Sequence, residues 1–267
     1  MTAAPPLPPW LRLRCPECGE GLACGPAACE CARGHRYEVR SGIPHLLRGD
    51  LGAPDASYVT WIRDYYRVPF SARQRRLNAR LFERFLVLAD PRPPVLDVGA
   101  GRAEKSAAFP AGQYVGADPI DPVAAGMVDH VPAPLVVARG ERLPFGDAQF
   151  GSVMLWAVLD HVADRGALVR ECARVLRDGG RLCVMTQVIG ERGSGLRGLI
   201  GWILSRIRTG DLAGMIAVAR FTYANPGVRQ RLSPLTVDLV RTEVARAFGE
   251  VRSELVDGHS LILWATR

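Results

Sequence analysis

From residue 94 onward the chain alternates short apolar runs with segments whose apolar residues recur every three or four positions. The runs at 95–98 (VLDV), 113–116, 152–156 and 181–186 predict strands. The segments at 103–109 and 164–176 predict helices, the second with Leu168, Cys172 and Val175 facing inward. A late helix at 234–248 precedes two further strands at 251–255 and 261–265. Strands that alternate with helices predict an α/β domain: a mostly parallel sheet with helices on both faces. In such a sheet ligands belong at the carboxyl ends of the strands.

Upstream, YEVRSGIPHLLRGD (37–50) predicts one strand, a glycine turn and an apolar finish. Residues 51–58 form a polar joint. Residues 60–88 predict a helix broken near Pro69, with Leu77, Leu81, Phe82, Phe85 and Leu88 on one face and arginines on the other. ADPRPP (89–94) cannot continue a helix and marks the domain boundary. Residues 1–50 thus predict a small domain, 51–93 a helical linker and cap, and 94–267 the main domain. Between 189 and 232 the alternation fails. Residues 195–207 predict an amphipathic helix with Leu196, Leu199, Ile200, Ile203 and Leu204 apolar, and the insertion at 190–232 is expected to be a lid over a substrate. A homodimer contact and peripheral membrane contact are the alternatives.

Composition places few further limits. The chain has 267 residues, 48% hydrophobic and 23% charged, as in ordinary soluble domains. No window of eighteen apolar residues predicts a membrane span, and MTAAPPLPPWLRLRC lacks the pattern of a secretory leader, so a cytoplasmic protein is expected. The net charge is +7, almost all of it from arginine, with Lys105 the one lysine. Positive charge concentrates at 63–84 and 192–231, either as solvated helix faces or for an anionic partner.

The cysteines change the picture more. Five of seven crowd into residues 15–31. An odd total without a leader argues against a disulfide framework. Cys15 and Cys18 form a C-x-x-C knuckle, and Cys31 and His35 a C-x-x-x-H pair. Three thiolates and one imidazole suit a closed, tetrahedral and therefore structural zinc site. Cys29 is an alternative to Cys31, and Cys24 to either. So short a segment buries little surface, and metal would supply much of its folding energy.

The other concentration of chemistry is DVGAGRAEKS (97–106). Strand, glycine turn and helix bring backbone close to a ligand. Asp118, at the end of the next strand, can accept hydrogen bonds from both hydroxyls of a ribose. No third glycine completes a dinucleotide fingerprint, and no G-K-S/T follows as in a triphosphate loop. Asp97, inside the first strand, suits a cofactor with a cationic amino-acid end.

VLDVGAGRAEKS resembles the first motif of the class I S-adenosylmethionine-dependent methyltransferases, and GAD at 116–118 their second. Residues 141–184, ERLPFGDAQFGSVMLWAVLDHVADRGALVRECARVLRDGGRLCV, are similar to the core of the group that includes ubiquinone and menaquinone biosynthesis enzymes (the methyltransferase type 11 group). The N-terminal segment resembles the zinc ribbon of a bacterial ribosomal RNA guanine-N1 methyltransferase. The resemblance implies a Rossmann-like seven-stranded sheet. It implies a cofactor site in which Asp97, Gly99, Ala100 and Gly101 surround the methionine moiety and Asp118 holds the ribose. Pro119 and Ile120 would pack on adenine, Gly140 or Glu141 would meet its edge, and Trp156 and Ala157 would lie beside the sulfonium. Glycine is usual where Ala103 stands, and aspartate where Arg139 stands. His161 is the candidate base, with Asp160 orienting it or acting itself, and Tyr65 and Tyr66 can reach over the cleft. The favoured reading is methyl transfer to a small organic acceptor at oxygen or carbon. Alternatives are an RNA guanine methyltransferase, using the ribbon and the arginine-rich helix, and a non-enzymatic zinc-bearing interaction protein.

Overall fold

The computed structural model describes residues 3–47, 54, 56–67, 72–188 and 235–267. The insertion at 190–232, with its expected helix, lies outside the described residues.

Around the clustered cysteines the chain forms an antiparallel sheet in chain order. Its strands are β1 (Leu22–Cys24), β2 (Ala28–Cys31), β3 (Arg36–Arg40) and β4 (Ile43–Pro44). Ser41 and Gly42 both take positive φ, 49° and 79°, and close a two-residue hairpin between β3 and β4. Two helices follow, α1 (Ala56–Tyr66) and α2 (Ala72–Ala89). α1 therefore begins inside the expected polar joint, and residues 68–71 around the expected break are not among those described.

The main sheet contains β5 (Val95–Val98), β6 (Tyr114–Asp118), β7 (Leu135–Val137), β8 (Phe150–Trp156), β9 (Leu176–Gln187), β10 (Glu250–Val256) and β11 (Ser260–Thr266). Their order is β10-β11-β9-β8-β5-β6-β7. β5 to β9 are parallel, and β11 runs antiparallel to both β9 and β10. The chain winds outward from β5 to β7 on one side and from β8 to β9 on the other. The order reverses between β5 and β8, and in sheets of this kind the ligand crevice lies at the carboxyl ends of the strands at that point.

Each face of this sheet is apolar and covered. α2 packs Phe85 and Ala89 against Val95, Met154, Cys183 and Ile262 on one face, leaving most of its arginines exposed. On the other face α3 (Arg165–Val175) and α4 (Val237–Ala245) bury Leu168, Cys172, Val175, Val240 and Val244 against Leu96, Val153 and Val184. Asp164 caps α3 by accepting from Ala167 N at 2.8 Å. Among the described residues no helix is long and apolar enough to cross a membrane.

The first sheet is docked on the second. Leu13, Cys29 and Leu46 are buried in the core shared with Leu96 and Phe150. His45 bridges Val137 in parallel, and Leu46 N donates to Val137 O at 2.8 Å, so the chain after β4 runs along β7, the edge of the main sheet.

Three elements differ from expectation. The helix predicted over 103–109 is a single 3-10 turn, Glu104–Ala108, entered through Ala103 in the left-handed region (φ 56°) and followed by Pro110. It is too short to present a helix dipole to a ligand. β7 is only three residues long and was not singled out, because an apolar run of that length carries no period. The helix predicted over 164–176 ends at Val175, where Leu176 turns extended to begin β9.

Candidate cofactor and metal sites

Parallel pairing sets Val98 beside Ala117, so the loop leaving β5 and the acid closing β6 meet. Gly99 N and Ala100 N both donate to Ala117 O, at 2.7 and 3.2 Å. Gly101 N donates to Asp118 Oδ2 at 2.9 Å, and Ile120 N donates to Oδ1 at 2.8 Å. Each carboxylate oxygen retains a second lone pair for a ligand hydroxyl. Burial pushes the Asp118 carboxyl up to about 6, the two amides pull against that rise, and the charge of Asp97 adds to it. Gly99 and Gly101 take positive φ, 75° and 55°. A Cβ at Gly99 would strike a methyl of Val158, and one at Gly101 the hydroxyl of Tyr66, so both positions need glycine on two counts.

Asp97 is fully buried. Its Oδ2 accepts from Tyr114 Oη at 2.7 Å and lies 3.7 Å from Lys105 Nζ. Its Oδ1 is buried with no hydrogen-bond partner. Leaving such an oxygen unpaired costs about 1–3 kcal/mol, a debt that a donor on a ligand would cancel. Burial, with Asp97 alongside, pushes the Tyr114 hydroxyl far above its usual range, so it stays a proton donor.

The other residues expected at the site have the following surroundings. Ala100 is buried among Ile43, Leu135 and Val137. Pro119 is half-buried and Ile120 buried, just past Asp118. Gly140 lies so close to Leu168 and Val98 that a Cβ would collide with both. Glu141 follows it, half-buried. Trp156, at the end of β8, packs edge-on against Phe82 and Phe85 of α2 at 5.3 and 5.4 Å, with Lys105 Nζ 5.9 Å from its ring. His161 Nε2 lies 3.6 Å from Asp160 Oδ2, while Asp160 Oδ1 is buried without a partner.

The sequence reading missed half of an aromatic wall. Besides Tyr65 and Tyr66, α1 contributes Tyr58 and Trp61, whose rings stand 6.2 and 5.7 Å from that of His161. Tyr58, Trp61 and Tyr65 are spaced by three and four and form one helical face, with Trp61 and Tyr65 stacked at 6.0 Å. That spacing was the available signal, and the expected polar joint over 51–58 hid it. Arg102 holds its guanidinium 4.5 Å above the Tyr66 ring. Burial, and next to it the charge of Asp118, raises the hydroxyl pKa of both Tyr58 and Tyr66. Tyr66, at the end of α1, approaches Gly101 of the glycine loop.

In the first sheet one ligand atom each of Cys15, Cys18, Cys31 and His35 lies within 4.8 Å of all the others. Cys15 Sγ and Cys31 Sγ are both 3.4 Å from His35 Nδ1, and Cys18 Sγ is 3.7 Å from Cys31 Sγ. A tetrahedral zinc site with Zn–S of about 2.3 Å and Zn–N of about 2.0 Å has S···S edges of about 3.8 Å and S···N edges of about 3.5 Å. These three separations match those edges, and the other three lie within 4.8 Å. Burial raises the Cys15 thiol, but the Tyr37 hydroxyl, 3.1 Å away, and the amides of Cys18 and Glu17 overcome it and hold the group at about 6. Cys24 and Cys29, the two alternative ligands, stand opposite each other in the β1–β2 register and are joined by a disulfide, a bond that the case against a disulfide framework did not anticipate. Hairpin register brings their Cα atoms to 3.9 Å, a proximity that spacing along the chain does not reveal.

Residues 96–184 match the family described as a methyltransferase domain. The chain is 33% identical over 135 residues to methyltransferase GfsG of Streptomyces halstedii, covering 45% of this chain and 46% of that one. It is 42% identical over 101 residues to the demethylmenaquinone methyltransferase of Mycobacterium bovis (strain BCG / Pasteur 1173P2), covering 35% and 41%. It thus spans less than half the length of these curated relatives. The fold is similar to that of the PH0226 protein of Pyrococcus horikoshii OT3, with a TM-score of 0.51 at 16% identity over 76% of this chain and 98% of that one. The main sheet with its helices has the Rossmann-like methyltransferase fold.

Proposed function

We propose that this chain is an S-adenosylmethionine-dependent methyltransferase that acts on a small organic acceptor, at oxygen or carbon, and carries a structural zinc ion in its amino-terminal ribbon. The observation that carries the reading is the meeting of Gly101 N with Asp118 Oδ2 beside the unpaired Oδ1 of buried Asp97. A nucleoside with a cationic amino-acid tail fits these groups. The free lone pairs of Asp118 accept from the ribose hydroxyls, and Asp97 Oδ1 accepts from the ammonium. Pro119 and Ile120 offer apolar surface to the base, and Gly140 its amide. Zinc would be held by Cys15, Cys18, Cys31 and His35, a closed set suited to folding and not to hydrolysis. The methyltransferase-domain match supports the reaction class, and the demethylmenaquinone methyltransferase relatives support a small acceptor.

When bound, S-adenosylmethionine supplies a methyl group already activated on a sulfonium. The protein is left with positioning and proton removal. The α1 wall of Tyr58, Trp61, Tyr65 and Tyr66 excludes water and presents flat apolar surface to an acceptor. His161 takes the acceptor's proton on the ring nitrogen that does not face Asp160, and Asp160 Oδ2, 3.6 Å from Nε2, orients the ring and stabilises the charge it gains. In this proposal 1–50 is the ribbon, 51–93 the linker and cap, and 94–267 the cofactor-binding domain, in a cytoplasmic protein.

Calorimetry with S-adenosylmethionine and S-adenosylhomocysteine tests the assignment. Saturable binding of both at one site per chain is expected, and loss of it in Asp118→Ala. Absence of binding by the intact protein at millimolar ligand overturns the assignment. Metal analysis of protein purified without chelator should give one zinc per chain.

A further inference from the structure

The loop that follows Asp118 is held from outside its own domain. Asp121, 8% exposed, uses Oδ1 to accept from Val123 N and Ala124 N at 2.9 and 3.0 Å, which fixes the turn after Ile120. Its Oδ2 contacts His45 Nε2 at 2.9 Å. His45 belongs to the ribbon, ten positions after the His35 of the metal cluster and directly after β4. The two side chains are 19% and 6% exposed, so solvent screens the contact weakly. Burial raises the Asp121 carboxyl, but the His45 ring and the two amides outweigh it and hold the group below the usual carboxylate range.

A second contact runs in parallel. Ile43 of β4 is fully buried in a small cluster with Ala100, Val131, Leu135 and Val137. Ala100 lies between the two glycines of the loop after β5. The ribbon thus reaches both halves of the candidate cofactor site: Ile43 shares a buried cluster with Ala100 of the glycine loop, and His45 contacts Asp121 in the loop after Asp118. Neither contact is needed to satisfy the ribbon's own sheet, whose β3–β4 pairing is complete without them.

We propose that His45 is a positioning residue for the cofactor site: through Asp121 it fixes the loop that follows Asp118 and carries Ile120, so the ribbon and the main domain bind nucleoside as one unit. The inference rests on the S-adenosylmethionine reading for the identity of the ligand. The mechanism is preorganisation: a loop already held in its binding geometry loses less freedom when the ligand arrives. The metal matters here indirectly, because it anchors the strands that deliver His45.

The test uses the full-length, metal-containing protein and three variants. His45→Ala removes the contact. His45→Gln keeps a nitrogen donor at a similar distance from the backbone. Arg36→Ala, on the exposed side of β3, serves as the ribbon control. Calorimetric titration with S-adenosylhomocysteine is expected to show binding at least tenfold weaker in His45→Ala, within about threefold of wild type in His45→Gln, and unchanged in Arg36→Ala. Melting temperature is recorded alongside. Hydrogen exchange at the amides of Val123 and Ala124, measured without ligand, is expected to quicken in His45→Ala and recover in His45→Gln. Unchanged affinity in His45→Ala, or a fall in melting temperature with affinity and loop exchange intact, overturns the positioning role and leaves the methyltransferase reading standing. Wild-type protein that binds no nucleoside overturns that reading and, with it, the role of His45 in ligand binding; loop exchange alone then reports a structural tie.

Discussion

At residue scale the crevice is controlled by two carboxylates in different circumstances. Asp118 has its pKa pushed to about 6 by burial, above the ordinary 3.8. In the ligand-free protein the proton therefore favours the folded state. That contribution is full below about pH 4 and is lost as pH rises through 6. Nucleoside binding runs the other way, because ribose hydroxyls need the ionised acid. Affinity for S-adenosylhomocysteine should rise up to tenfold per pH unit below 6 and level off above 7, with proton release visible when titrations are compared in buffers of different ionisation enthalpy. A flat profile from pH 5 to 8 would remove Asp118 from the contact. A second prediction concerns backbone strain. Ala103 and Ala148 both take positive φ, 56° and 55°, at a cost of about 1–2 kcal/mol each. Ala148 is exposed, so Ala148→Gly should gain about 0.5–1 kcal/mol, after glycine's own entropy, and raise the melting temperature by about 2–3 °C. Ala103 is fully buried, and Ala103→Gly surrenders a methyl worth about 0.8 kcal/mol, so its melting temperature should scarcely move. The resemblance to a family with glycine at this position was legible in the sequence. The left-handed backbone that explains the glycine was not.

At the scale of elements, α1 and the turn after β8 decide what the crevice can do. The sequence places His161 past the end of β8, because an apolar run followed by polar residues marks where a strand stops. It does not reveal that His161 faces Tyr58 and Trp61, since those rings come from a helix a hundred residues earlier. His161→Ala should lower turnover at saturating substrates at least tenfold while leaving S-adenosylhomocysteine affinity within about twofold. Unchanged turnover would make the ring a packing group only. The 3-10 turn after Ala103 teaches the opposite lesson. Its sequence, EKSAA, reads as helix by propensity, but a left-handed entry and Pro110 at its exit leave room for a single turn.

At the scale of the whole molecule, the alternation of strands and helices after residue 94 carried the fold, because its longer runs are distinct and their order leaves few topologies. The arrangement of the ribbon was not legible in the same way. Cysteine spacing pointed to Cys15, Cys18, Cys31 and His35, which the structure brings together, but docking depends on side chains such as Leu13, Ile43, His45 and Leu46, which show no pattern among themselves. The bridge from His45 to Val137, with Leu46 N on Val137 O, has one more effect. Without residues 1–50 the outermost rungs of β7 would stand open beside Val131 and Leu135, an invitation for strand-to-strand growth between molecules. A fragment starting at residue 51, which keeps α1 and α2 on the sheet, should therefore elute from a sizing column as a concentration-dependent mixture of larger species, and a monodisperse monomer there would contradict this. By that logic residues 1–50 act as a chaperone in cis, keeping each copy of the chain from polymerising with the next.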